Sequence, residues 1–99
     1  MTNEELLSLL RQSTFSFSAK VCRDENISLV SAQFLRWLFV EGSCTNRQIF
    51  DTFGAGRAYE LLRLGFVSSE LGEREGAQTN LWKVTESGSQ LLLRLTKKR

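Results

Sequence analysis

The amino-acid sequence predicts an α+β domain that is predominantly helical. Three observations carry this prediction. Apolar residues recur at helical spacing along much of the chain, glycines separate two short amphipathic segments at 45–53 and 56–64, and runs at 66–71 and 80–84 alternate as strands do. The 99 residues suffice for one domain with a single core. With 41% hydrophobic and 24% charged residues, the composition argues against a disordered chain.

The composition also bears on the compartment. The longest apolar stretches are too short to span a bilayer, and the acidic start Met-Thr-Asn-Glu-Glu-Leu-Leu lacks the basic region of a secretory signal. We therefore expect a cytoplasmic protein with no membrane partner. Cys22 and Cys44 belong to no local motif, so we expect two reduced, half-buried thiols, with a disulfide as the alternative.

Catalysis and metal binding are not indicated by any motif. The chain contains no histidine, and two thiolates cannot complete a tetrahedral zinc site. Without histidine, a serine or cysteine nucleophile would need a lysine or carboxylate base, and no suggestive spacing is present. We predict that the protein is not an enzyme and uses no metal or cofactor.

Residues 1–29 are predicted to form an N-terminal helix and a connecting segment, separate from a domain of residues 30–99. Thr2 can cap a leucine-rich helix that extends to about Gln12. Residues 13–26 leave two interpretations open, because Phe15 and Phe17 alternate as in a strand while the residues after position 22 are polar and loop-like. We expect residues 1–29 to serve in packing or dimerisation.

A helix from Ser28 or Ser31 to Glu41, ended by Gly42, follows. Its core stripe leaves a second apolar surface that must be covered either by the N-terminal helix or by a second copy of the protein. The predicted dimer or partner surface comprises Leu6, Leu10, Phe34 and Trp37.

Residues 45–66 are predicted to form two short helices with a tight glycine turn between them. Thr45 and Gln48 have the spacing of a capping box, and Gly54 and Gly56 break the chain before the second helix. Gly65 is predicted to end that second helix. A helix held outward in this way has the shape that fits a DNA major groove.

The C-terminal third is predicted to contain a strand at 66–71, a polar loop at 72–79, a strand at 80–84 and a last helix capped by Thr85. The cationic end Lys97-Lys98-Arg99 suits the negative end of the helix dipole, and the alternative is a solubilising tail.

Three segments resemble the winged helix-turn-helix domains of bacterial and phage regulators. They are Thr-Asn-Arg-Gln-Ile at 45–49, Tyr-Glu-Leu-Leu-Arg-Leu-Gly-Phe at 59–66 and Trp-Lys-Val-Thr-Glu-Ser-Gly at 82–88. The resemblance covers residues 30 to 96. It implies a three-helix core, a two-stranded β-hairpin wing and a C-terminal helix, to which this chain adds its N-terminal helix. It further implies a sequence-specific DNA-binding transcriptional regulator, dimeric and of the phage or plasmid kind, with helix 56–64 in the major groove.

The predicted DNA contacts lie on the helix pair and the wing. Arg57 and Arg63 are expected to read guanine, although both can also be solvated surface residues. Tyr59 can touch a phosphate or pack on the wing. The predicted DNA-binding residues are Asn46, Arg47, Arg57, Tyr59, Glu60, Arg63, Arg74 and Lys83.

A second interpretation is a winged-helix protein-interaction module that does not bind DNA, such as an antirepressor or a complex subunit. The net charge is only +2, and the predicted wing contains Glu70, Glu73 and Glu75. Neither feature is typical of a strong DNA binder.

Overall fold

The computed structural model describes residues 1–97 and the side chains of residues 1–96. Within these residues the chain forms six helices and three strands. In chain order they are α1 (Asn3–Leu10), α2 (Ala19–Asp24), α3 (Leu29–Glu41), β1 (Cys44–Thr45), α4 (Asn46–Phe53), α5 (Ala55–Arg63), β2 (Val67–Arg74), β3 (Ala77–Val84) and α6 (Glu86–Lys97). The predicted role of the cationic C-terminal end falls on side chains outside the described part.

Helices α3 and α4 begin and end where the sequence predicts. Thr45 and Gln48 form a reciprocal capping box, since each backbone N–H donates to the other residue's side chain. Ser28, rather than Ser31, caps α3, and Gly42 ends that helix with a φ of 88°. These local signals therefore determine the boundaries of α3 and α4.

The N-terminal residues belong to the same hydrophobic core as the rest of the chain. Leu6, Leu10, Phe15 and Phe17 join the core cluster that includes the buried residues of α3, α5, β3 and α6. The possible strand at Phe15 and Phe17 is absent, because both rings point into the core, 5.1 Å apart and edge to face, without pairing to any sheet. Phe15 and Phe17 alternate with polar residues because the two phenylalanines are buried and the residues beside them are exposed. Helix α2 follows, capped by Ser18, and was not predicted.

The predicted dimer or partner surface is corrected by these contacts. Leu6 and Phe34 are 0% exposed and Leu10 is 1% exposed within a single chain. The Phe34 ring stacks on Phe53 with centroids 4.6 Å apart, and the Trp37 ring lies 5.5 Å from the same phenylalanine. Phe53 at the end of α4 therefore covers Phe34, while Leu6 and Leu10 are buried in the core of the same chain. Of the four residues, only Trp37 remains partly exposed.

Arg36 joins the end of α1 to α3. Its guanidinium donates to the carbonyl oxygens of Leu10 at 2.8 Å, Gln12 at 2.8 Å and Phe15 at 2.9 Å. It also lies over the Phe15 ring, 5.2 Å from the centroid. Helix α1 ends at Leu10, two residues before its predicted end, and these carbonyls find their partner in α3.

The sheet has three antiparallel strands in the order β1-β3-β2, not the two that were predicted. The two-residue strand β1 pairs with the inner end of β3, where Cys44 lies opposite Trp82. The prediction of a loop at 72–79 is also wrong. The hairpin continues to the Arg74–Ala77 pair and turns at Glu75 and Gly76, whose φ values of 55° and 78° are those of a type I′ turn. The outer halves of β2 and β3 project from the core, so their residues lack the alternation of apolar and polar side chains that marks a half-buried strand.

The corner between β3 and α6 explains the predicted Thr85–Gly88 signal. Thr85 Oγ1 accepts the Gly88 N–H at 3.1 Å and donates to the Gly65 carbonyl at 2.6 Å. A Cβ atom on Gly88 would lie 2.2 Å from the Phe66 carbonyl oxygen, so only glycine fits there. Thr85 therefore caps α6 as predicted and ties it to the end of α5.

No helix among residues 1–97 is long and apolar enough to cross a membrane.

Candidate nucleic-acid interface

Helix α5 has one buried and one exposed face. Ala58 and Leu61 are buried in the core, 0% and 1% exposed. Gly56, Tyr59, Glu60 and Arg63 line a shallow open depression on the other side. At 3.6 residues per turn these four positions fall on one stripe of the helix. The depression therefore runs along one exposed face of α5.

Tyr59 packs on the sheet and remains partly accessible. Its ring centroid lies 5.7 Å from that of Trp82 and 5.9 Å from that of Phe50, while 52% of the residue is exposed. The Tyr59 ring therefore packs on Trp82 of strand β3. Its half-exposed ring leaves room for an additional contact.

Trp82 is the buried support of this aromatic group, and sequence reasoning missed it as a site residue. Its indole N–H donates to Asn46 Oδ1 at 2.5 Å, and its ring also contacts Phe50 edge to face. This bond joins β3 to the first turn of α4. The side-chain oxygen of Asn46 therefore already has a hydrogen-bond partner within the domain. The resemblance of residues 82–88 to winged helix-turn-helix domains was the available signal, but that segment does not indicate Asn46 as the partner.

Arg57 lies on a different side of α5 from Arg63. Their separation of six positions places the two side chains roughly 120° apart on an α-helix. Arg57 Nη1 donates to Ser31 Oγ at 3.0 Å and to Ser28 Oγ at 3.2 Å, and the residue is half-buried. The guanidinium therefore contacts the start of α3 and lies away from the exposed stripe that carries Arg63.

Arg74 also donates its hydrogen bonds within the protein. Its guanidinium contacts the Ser43 carbonyl at 3.1 Å and Ser43 Oγ at 2.6 Å. These bonds join the end of β2 to the connection between α3 and β1. Consequently three predicted DNA contacts, Asn46, Arg57 and Arg74, each have a partner within the domain.

The other five predicted contacts, Arg47, Tyr59, Glu60, Arg63 and Lys83, are exposed side chains. Arg47 is 92% exposed at its side chain and lies 3.6 Å from Asp51 in a surface ion pair. Exposed pairs of this kind contribute little to stability, so Asp51 does not prevent Arg47 from meeting another anion.

The cysteines offer no reactive or metal-binding site. Both are buried and free, and burial raises the pKa of each thiol, so both stay protonated near neutral pH. At Cys44 the carboxylate of Glu41 raises the thiol pKa further, while Arg74 opposes it. Among residues 1–96, no group of three or more His, Cys, Asp or Glu side chains is placed to hold a metal ion.

Comparison with known proteins identifies the fold. Neither a family model nor a curated relative matches the sequence. Among solved structures, a MarR-like transcription regulator from Bacillus cereus is 17% identical with a TM-score of 0.61 over 94% of this chain. A mutant of MepR from Staphylococcus aureus bound to an oligodeoxyribonucleotide is 15% identical with a TM-score of 0.65, also over 94% of this chain. The oxidized form of MarR from Escherichia coli is 14% identical with a TM-score of 0.59 over 96%.

The chain adopts a winged helix-turn-helix fold. It spans 65% of the length of the Bacillus cereus protein, 67% of MepR and 68% of MarR. In the terms of this fold, α4 and α5 are the helix-turn-helix, and β2 and β3 are the wing.

The wing of this winged helix is acidic along its outer strand. Glu70 and Glu73 on β2 and Glu75 in the turn are exposed, and so is Lys83 on β3. Leu71, between the two acidic residues of β2, is 71% exposed. The exposed charges of the helix-turn-helix are balanced between arginines and carboxylates, whereas those of the wing are mostly carboxylates.

Proposed function

We propose that the protein is a sequence-specific DNA-binding transcriptional regulator of the phage or plasmid kind, in which α5 is the recognition helix. The observation that carries the proposal is the exposed stripe of α5, whose opposite side is buried in the core. A helix held in this way can enter a major groove without unfolding any part of the domain. The similarity to MepR, solved with an oligodeoxyribonucleotide, supports the same function.

Each exposed residue has a chemical role in this proposal. Arg63 would donate to guanine O6 and N7, and Glu60 would accept from a cytosine amino group. The Tyr59 hydroxyl and the Arg47 guanidinium, on α5 and α4 respectively, would contact phosphates and fix the orientation of the domain. Lys83 would bring one positive charge from the wing to the DNA backbone.

The regulator is proposed to act as a homodimer. Two copies would place their recognition helices at half-sites one helical turn, about 34 Å, apart. Because α1 contributes Leu6 and Leu10 to the core, removing it would disturb the fold and cannot test dimerisation. The full chain in sedimentation equilibrium provides that test, with a mass of twice 11.3 kDa expected.

Arg63→Ala tests the placement of the recognition helix. Loss of a base contact should weaken binding to the operator by roughly 1–3 kcal/mol. The matched control is Arg23→Ala, which removes an exposed arginine from α2, outside the helix-turn-helix and the wing. Operators selected from a random duplex pool supply the probe, and fluorescence anisotropy supplies the affinity. Equal affinities for the two variants would refute the placement.

The competing function is a protein-interaction module that does not bind DNA. The exposed Leu71 within the acidic wing favours it, since a large apolar side chain among carboxylates suits a protein surface better than a phosphate backbone. If the wild-type chain selects no duplex from the pool, this alternative is preferred.

A further inference from the structure

The first turn of α5 lacks the side-chain cap that fixes the start of α1, α2, α3 and α4. Its N-cap is Gly54, which supplies no side-chain hydrogen bond, and Gly56 is its second residue. Glycine is a poor helix former, and a glycine cap leaves the first amides without a side-chain acceptor. The first helical bond, from the Ala58 N–H to the Gly54 carbonyl, is long at 3.4 Å. The direction of this turn must therefore depend on contacts with other elements.

Arg57 makes such a contact from the same turn. One nitrogen, Nη1, donates to Ser31 Oγ and Ser28 Oγ, and the Ser28 hydroxyl donates to Ser31 Oγ at 2.9 Å. Ser28 also caps α3 by accepting the Ser31 N–H at 3.1 Å. The three side chains form a closed network in which Ser31 is buried. The start of α5 is thus bonded to the start of a 13-residue helix at the centre of the core.

We propose that Arg57 is a positioning residue that fixes the first turn of the recognition helix against α3 and does not read DNA. A guanidinium that brought both terminal nitrogens to the O6 and N7 of a guanine would have to release the serine hydroxyls that Nη1 now contacts. Tyr59 and Glu60 follow within one turn, so the network also sets where these exposed residues point. The consequence for DNA affinity rests on the proposed function, whereas the anchoring of α5 is independent of it.

Hydrogen exchange in a double-mutant cycle tests the anchoring. We compare Arg57→Ala, Ser31→Ala and the double variant by the exchange rates of the Ala58 and Tyr59 amides. Each single change should speed exchange, by about five- to tenfold for Arg57→Ala, because the local opening loses a charge-assisted bond. The double variant should exchange no faster than Arg57→Ala, since both changes remove the same network.

Arg63→Ala is the matched control for the cycle, because it removes an arginine from the last turn of the same helix and should leave these amides unchanged. If the double variant instead shows the product of the two single effects, the two residues are not coupled and the proposal fails.

DNA binding separates positioning from direct contact. With a 30-base-pair duplex of random sequence, Arg57→Ala and Ser31→Ala should both weaken binding several-fold, while the slope of log affinity against log salt stays at the wild-type value. The matched control is Arg23→Ala, which removes an exposed arginine of α2 and should bind as the wild type does. A slope reduced by about one in Arg57→Ala alone would identify a phosphate contact and overturn the proposal.

Wild-type affinity in both variants would also overturn the positioning role. If the wild-type chain does not bind DNA at any salt concentration, the proposed function fails, and the exchange cycle still decides whether Arg57 anchors α5.

Discussion

Replacing Arg36 with alanine is expected to destabilise the domain more than any change to an exposed arginine. The substitution removes three hydrogen bonds to the carbonyls of Leu10, Gln12 and Phe15, together with the contact over the Phe15 ring. It therefore detaches the end of α1 and the following segment from α3. The detachment is costly because these parts supply four buried side chains to the core, namely Leu6, Leu10, Phe15 and Phe17.

The magnitude follows from the environment of each bond. A hydrogen bond to a charged group contributes about 1.5–3 kcal/mol, and the ring contact adds about 0.5–1 kcal/mol. The bond to Gln12 is exposed, so water can replace the guanidinium there. The other two bonds are partly buried, and the freed arginine regains about 2 kcal/mol of rotamer entropy. The net cost should be about 2–4 kcal/mol.

Chemical denaturation and thermal melting measure this cost. For a chain of 99 residues a loss of this size lowers the melting temperature by about 10–20 °C. Arg36→Lys keeps the positive charge but not the three-way geometry, so it should recover about half of the loss. The control Arg11→Ala, which changes an exposed neighbour of α1, should stay within about 0.5 kcal/mol of the wild type. A loss from Arg36→Ala no larger than that of Arg11→Ala would refute the role given to Arg36.

Two further predictions concern the corner and the aromatic group. Gly88→Ala places a Cβ 2.2 Å from the Phe66 carbonyl oxygen and should lower the free energy of unfolding by about 1–3 kcal/mol or more. In Gly56→Ala the new Cβ meets no atom within 4 Å, so this variant should raise the free energy of unfolding by up to about 1 kcal/mol. Equal melting temperatures for these two variants would contradict the steric argument. Asn46→Ala removes the acceptor of the buried Trp82 N–H and should cost about 1–3 kcal/mol in urea denaturation, while Asn46→Asp retains an acceptor and should cost less. The reverse order would show that this bond is unimportant.

The elements set by local chemistry were predictable from the sequence. Short motifs determine the bounds of α3 and α4 and the start of α6, because each acts within a few residues of the helix end concerned. These motifs are Gly42, the pair Thr45 and Gln48, and Thr85. The strand β1 was missed because two residues paired to a distant strand leave no periodic pattern. The outer wing was mistaken for a loop because a hairpin exposed on both sides needs no apolar alternation.

The candidate site was predictable only in part, because its decisive contacts join distant residues. A helical pattern marks Arg57 as polar, but it cannot show that Ser31, 26 residues earlier, lies within hydrogen-bond distance. Arg74 meets Ser43 in the same way, across 31 residues. Phe34 was assigned to a partner surface because its cover, Phe53, belongs to a helix whose packing direction the sequence does not specify.

The salt dependence of binding to random duplex DNA tests the central claim most directly. A winged helix that places Arg47, Arg63 and Lys83 against DNA should bind at low salt, and its log affinity should fall linearly with log salt concentration. The slope should be small, about −2 to −3, because few phosphates are neutralised. Absence of binding at the lowest salt concentration would contradict the claim and favour a protein partner.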